Sequence, residues 1–180
     1  MRLKTIFSSA LFLCTFVTQM LAQPVVMKPG KELEKLSFFV GDWEVTTVTK
    51  FGGKEETVKA EATFRWLPGE VWLQEEISMN IPSMGFMHGG CKMAWREETG
   101  EYVRHWTDNQ TTLNFTSVGA WVYENTLEFS GSFKWKGEMR YSRWVLKKVS
   151  QDELLGTYFH STDGESFRVQ AEEKFVRRKG

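Results

Sequence analysis

The sequence predicts an all-β protein: a closed, antiparallel, up-and-down barrel of about nine or ten strands with one short helix on its N-terminal side. Three observations lead to it. Beyond Trp43 no helical period recurs, and apolar and polar residues alternate in short blocks instead. Turn-forming residues separate those blocks at regular intervals: Gly52-Gly53, Pro68-Gly69, Pro82 to Gly85, Thr99-Gly100, Asp108 to Gln110, Gly119, Gly137, Gln151-Asp152 and Asp163-Gly164. In the clearest block, Val58, Ala60, Ala62, Phe64 and Trp66 fall on one face and Lys59, Glu61, Thr63 and Arg65 on the other. Successive hairpins favour a meander, and closing it removes the unpaired edges that invite aggregation. A two-sheet sandwich is the alternative.

Taken in order, residues 1–22 read as a signal peptide. Arg2 and Lys4 precede an apolar stretch from Ile6 to Leu21 that is interrupted by Ser and Thr, and Ala22 offers a small residue for cleavage. The stretch is too short and too interrupted for a membrane span, and Leu13 stands where a lipoprotein signal at Cys14 needs a small residue. Export to a periplasmic or extracellular compartment is the expectation, with no stable membrane insertion after cleavage. Residues 23–30, with Pro24, Pro29 and Gly30, read as a linker, and residues 31–179 as the barrel domain. Leu33, Leu36 and Phe39 or Val40 fall at helical spacing, so Glu32 to Phe39 is expected to form the short helix, ending at Gly41.

Buried rows are then expected at Val71, Leu73, Ile77 and Met79; at Met87, Cys91, Met93 and Trp95; and at Leu127, Phe129, Phe133 and Trp135. The last rows are Met139, Tyr141 and Val145, then Phe167, Val169, Ala171 and Phe175. Removing the two basic residues of the signal leaves 21 Lys and Arg against 23 Asp and Glu. That balance provides no footprint for a phosphate backbone, so nucleic acid is not an expected partner. Cys91 is the only cysteine outside the signal, which excludes an intramolecular disulfide. All eight Trp and eleven of the fourteen Phe lie beyond residue 22, enough to build either a thick core or an aromatic pocket.

Gly41-Asp42-Trp43, at the passage from helix to first strand, resembles the G-x-W signature of lipocalin-like (calycin) barrels. That resemblance implies that Trp43 closes the barrel bottom beneath an Arg of the last strand, Arg177 or Arg178, for about 0.5 to 2 kcal/mol of stacking. Residues 33–179 more closely resemble the secreted bacterial family known as domain of unknown function 1579. The resemblance is carried by Phe39-Val40-Gly41-Asp42-Trp43-Glu44, Trp72-Leu73-Gln74-Glu75-Glu76, Tyr102-Val103-Arg104-His105-Trp106-Thr107-Asp108, Asp163-Gly164-Glu165-Ser166-Phe167-Arg168-Val169 and Phe175-Val176-Arg177-Arg178-Lys179. It implies a fold and a compartment, and no substrate. Trp95-Arg96 stands where the family's glycine-rich strand ends in Tyr-Asp.

Extending the inward rows through their polar members places Glu75, Arg104, Arg143 and Glu173 inside an apolar wall. Lone buried charges are costly, so these four should pair with one another or with a ligand. The expected function is therefore binding or carriage of a small hydrophobic or amphiphilic molecule. Arg104 or Arg143 would meet an anionic head, and the tail would lie against Phe64, Trp66, Met93, Trp106 and Phe129. A self-satisfied salt-bridge lattice, or a strand whose true face is the opposite one, is the competing account of the same residues. An enzyme in the same cavity and a filled, ligandless barrel are the alternatives. No catalytic motif stands out and no cofactor is expected. Nor is a metal site expected, because His88 and Cys91 face opposite ways on a regular strand and His105 faces away from Trp106.

Overall fold

The computed structural model describes residues 30–50, 53–112 and 114–179. The expected signal peptide, residues 1–22, and all of the linker but Gly30 lie outside the described residues.

The chain enters through one helical turn, α1 (Lys31–Glu34), which tightens into a 3₁₀ turn, Lys35–Phe39. The helix expected over Glu32 to Phe39 is thus split in two by hydrogen-bonding pattern, with Leu33, Leu36 and Phe39 buried along one side of it. Ten strands follow: β1 (Gly41–Thr49), β2 (Glu56–Trp66), β3 (Leu73–Ile81), β4 (Gly85–Arg96), β5 (Glu101–Asp108), β6 (Phe115–Tyr123), β7 (Thr126–Trp135), β8 (Glu138–Ser150), β9 (Glu153–Ser161) and β10 (Arg168–Arg177). Each pairs antiparallel with its sequence neighbours, and β1 pairs with β10 to close the barrel. The β7–β8 hairpin shows how tightly the meander turns. Trp135 pairs with Glu138, and Lys136 and Gly137 between them both have positive φ, 49° and 86°, as a two-residue type I′ turn demands.

Alternation sends one row of each strand inward. Trp43, Val45, Thr47 and Thr49 of β1, Val58 to Phe64 of β2, and Leu73, Glu75, Ile77 and Met79 of β3 are buried as period two requires. Cys91 and Met93 of β4, Leu127 and Phe129 of β7, and Ala171 and Phe175 of β10 continue the wall.

The expectation for β8 is corrected. Ser142, Trp144 and Leu146 are the buried members, and Met139, Tyr141, Arg143 and Val145 form the outer row. The outer row looked like core because the β8–β9–β10 side carries an aromatic coat of its own, where Arg143 lies over the rings of Phe159 and Phe167 and Gly164 packs on the ring of Tyr141. At the end of β7, Trp135 is similarly more exposed than its expected place in the core.

Candidate functional site

One end of the barrel is plugged. Trp43 is buried beneath the 3₁₀ turn and donates its indole N–H to the Phe39 carbonyl at 2.8 Å. Arg177 lies over the Trp43 ring, 4.2 Å from its centroid, and donates through Nη1 to Val40 O at 2.6 Å and through Nη2 to Phe38 O at 2.7 Å. Arg177, and not Arg178, is therefore the closing residue; Arg178 points outward to Glu61 and Glu44. Gly41 makes the arrangement possible, because its φ is +142° and a Cβ there would stand 2.4 Å from Arg177 Nη1. On the far side of the plug, the Tyr102 hydroxyl donates to Glu32 O at 2.7 Å and accepts from Trp121 Nε1 at 3.1 Å.

Above this plug the inner wall carries a belt of polar groups. Glu75 of β3 is only 3% exposed, and its carboxyl is 3.1 Å from the Cys91 sulfur on the next strand. Burial pushes the Glu75 carboxyl up, with Arg104 opposing the rise. The Cys91 thiol is pushed well up by burial and then by the Glu75 carboxylate, so it is no activated nucleophile.

Arg104 of β5 is 7% exposed and lies against two indoles, 5.0 Å from the centroid of Trp106 and 4.3 Å from that of Trp144. No salt bridge joins it to either acid among the described residues, and its Nε has no hydrogen-bond partner. The hydroxyls of Ser117, paired with Arg104 across β5–β6, and of Thr47, paired with Glu173 across β1–β10, are buried and equally unpartnered.

Glu173 of β10 lies inside, accepting the Trp144 indole N–H at 3.0 Å. Its carboxyl occupies the space left by Gly156 on β9, where a Cβ would come within 2.6 Å of Oε2. Burial raises the Glu173 carboxyl to about 7, reinforced by the Glu75 charge and opposed by the Trp144 hydrogen bond and Arg104. The residue keeps some surface, but the environment of the carboxyl itself is the interior that Trp144 and Gly156 define.

Of the residues the sequence proposed for the interior, Glu75, Arg104 and Glu173 come together in this belt. Phe129 stacks on Trp144 with centroids 6.3 Å apart, Trp106 caps Arg104 and Met93 is fully buried beside it. Phe64 and Trp66 lie lower, toward the plug, where Phe64 packs on Phe39. Arg143 does not join them. It faces outward, a third of its side chain exposed, with Glu128 3.9 Å away.

The sequence reading missed Trp144, Thr47 and Ser117. The reversed parity of β8 hid the Trp, and nothing in the pattern distinguishes a small inward hydroxyl from a filler. His160 also belongs to the inner row, opposite Ser142 near the other end, and burial lowers its imidazole pKa. His88 and His105 lie on the outer surface, bonded to Ser78 and Thr116 respectively. They border a shallow trough of about 680 Å³ over the bare backbone of Gly89 and Gly90. Among the described residues no three His, Cys, Asp or Glu side chains converge as metal ligands.

Two of the sequence motifs acquire a structural meaning here. Tyr102, Arg104 and Trp106 are the inward row of β5, and Asp108 ends it by accepting from Trp106 Nε1 at 2.9 Å and from the amides of Gln110 and Thr111. Asp163 is a turn residue, accepting from the Ser161 hydroxyl and the amides of Glu165 and Ser166, which hold its carboxyl well below the usual range.

The family model "Protein of unknown function (DUF1579)" matches residues 28–177, the whole barrel. The chain belongs to the DUF1579 family. No curated protein matches it. Among solved structures, this DUF1579 barrel is similar to Rv2717c from M. tuberculosis, with a TM-score of 0.62 and 14% identity, covering 84% of this chain and 100% of that one. It is also similar to the S-type phycobiliprotein lyase CPES from Guillardia theta, with a TM-score of 0.57 and 10% identity over 82% of this chain and 92% of that one. At such identities the likeness is one of fold.

Proposed function

We propose that this protein is an exported binding module that holds a small hydrophobic or amphiphilic molecule inside its barrel. The observation that carries the reading is the set of unpartnered polar atoms on the inner wall: Thr47 Oγ1, Arg104 Nε and Ser117 Oγ, on residues 2%, 7% and 3% exposed. An orphaned buried polar group costs about 1 to 3 kcal/mol, and three such groups facing one interior are accounted for when a bound molecule supplies their partners. Trp106, Trp144, Phe129 and Met93 provide the apolar surface for the rest of that molecule.

The resemblance in fold to a phycobiliprotein lyase supports a barrel that handles a small molecule, and the sequence of residues 1–22 supports export. Native mass spectrometry of the protein purified from its own host tests the reading. The expected result is a defined mass increment that disappears on denaturation, with an N-terminus near Gln23. An unliganded mass, combined with no increment after incubation in a host extract, overturns the binding role.

A further inference from the structure

The belt places two carboxyls against one guanidinium. Facing Glu173 across the interior are Glu75 on β3, the Cys91 thiol on β4, Arg104 on β5, and Tyr158 and His160 on β9. At its level β1, β6 and β8 bring only Thr47, Ser117, Ser142 and the Trp144 indole, and β2 and β7 only apolar residues or glycine; Glu56 of β2, bonded to Ser83, and Arg168 of β10, paired with His160, fall in the inner rows nearer the open end. Arg140 belongs to the same inner row of β8 but lies nearer the β7–β8 hairpin, where it pairs with Glu138. The thiol and the Tyr158 phenol are held protonated, so with both acids ionised the belt lacks one positive charge.

Two indole rings lie against the Arg104 guanidinium, and both acids already feel its charge. An anionic head would bring a third negative charge to a single cation. One oxygen of Glu173 takes the Trp144 N–H, whereas Oε1 has no hydrogen-bond partner among the described residues. The unpartnered Thr47 hydroxyl stands on the directly paired neighbouring strand position.

We propose that the ligand presents a protonated nitrogen, an ammonium on an apolar frame, and that Glu173 Oε1 with Thr47 Oγ1 receives it. The assignment rests on the interior-binding reading and specifies its chemistry. It replaces the anionic head expected from sequence at Arg104 or Arg143, because Arg143 faces outward and Arg104 already faces two carboxyls. An ammonium completes the charge balance that the protein otherwise reaches by keeping a proton on a belt carboxyl, Glu173 foremost, and it suits the indole faces as well. Binding is therefore coupled to loss of that proton: the ammonium enters, the Glu173 proton leaves to the buffer, and the belt remains neutral.

The test is isothermal titration calorimetry of the host-processed protein with three probes of one shape, phenylbutylamine, phenylbutanol and phenylbutyrate, near neutral pH in two buffers of different ionisation enthalpy. The amine is expected to bind about tenfold or more tighter than the alcohol, with phenylbutyrate weakest, and to release a fraction of a proton. Glu173→Gln, nearly isosteric and with its fold checked by near-ultraviolet circular dichroism, should erase the amine-over-alcohol ratio. Thr47→Val should reduce the same ratio severalfold. Tighter binding of the acid, or an unchanged ratio in Glu173→Gln, overturns the ammonium assignment but leaves interior binding standing. Failure of all three probes to bind removes both.

Discussion

Replacing Arg177 by Ala tests whether the closed end is held as described. Its Nη1 and Nη2 satisfy the carbonyls of Val40 and Phe38, Nε reaches Gln151 O at 3.1 Å, and the guanidinium lies 4.2 Å from the Trp43 centroid. Hydrogen bonds to a charged group contribute about 1.5 to 3 kcal/mol each, and with a quarter of the side chain exposed the lower figure applies. The two part-buried bonds, to Val40 and Phe38, and about 0.5 to 1 kcal/mol of stacking give a loss of about 3.5 to 4 kcal/mol. For a domain of this size each kcal/mol lowers Tm by about 2 to 4 °C, so a drop of roughly 10 °C is expected. Thermal unfolding followed by circular dichroism measures it, and the near-ultraviolet signal of the packed indole reports on Trp43 directly. Arg177→Lys keeps the charge without the planar fork and should lose about half as much. A drop below about 3 °C for Arg177→Ala would refute the account of the plug.

The same end predicts that Gly41→Ala destabilises by about 1 to 3 kcal/mol in chemical denaturation, since both its φ and the Arg177 contact exclude a Cβ. In the belt, Glu173 has a folded-state pKa of about 7 against 4.5 for the free side chain, so the folded state holds its proton more tightly. Its contribution to stability is full below about 4.5 and falls as pH rises toward about 7. Glu173→Gln should remove that decline and be the more stable protein by about 1 to 3 kcal/mol above pH 7, which denaturant midpoints across pH will show. The Cys91 thiol should react with an aromatic disulfide reagent only on unfolding, because it is buried and held protonated. On the outer face, Arg143→Ala should cost no more than about 1 kcal/mol and leave ligand content in native mass spectrometry unchanged.

Several of the residues that build the candidate site were legible in the chain because strand periodicity is strict. Once Leu73 and Ile77 are inside, Glu75 must be, and Tyr102 and Trp106 carry Arg104 inward in the same way. The rule failed on β8, where each face carries a Trp or Tyr, an Arg and an aliphatic residue. The choice between Trp144 and Arg143 then depends on what covers each face. Phe159 and Phe167 cover Arg143 from outside, and they come from β9 and from the turn before β10.

From the sequence alone came the all-β class, the meander, the helix-to-strand passage at Gly41-Asp42-Trp43 and the inward placement of Glu75, Arg104 and Glu173. These follow from interactions between neighbours along the chain, whose period is set by backbone geometry. The register in which β1 meets β10, the choice of Arg177 over Arg178, the approach of Trp106 and Trp144 to Arg104, and the space that Gly156 leaves for Glu173 were decided only by the tertiary structure. Each brings together residues from different strands, and the barrel's stagger, which no local pattern encodes, determines which of them meet.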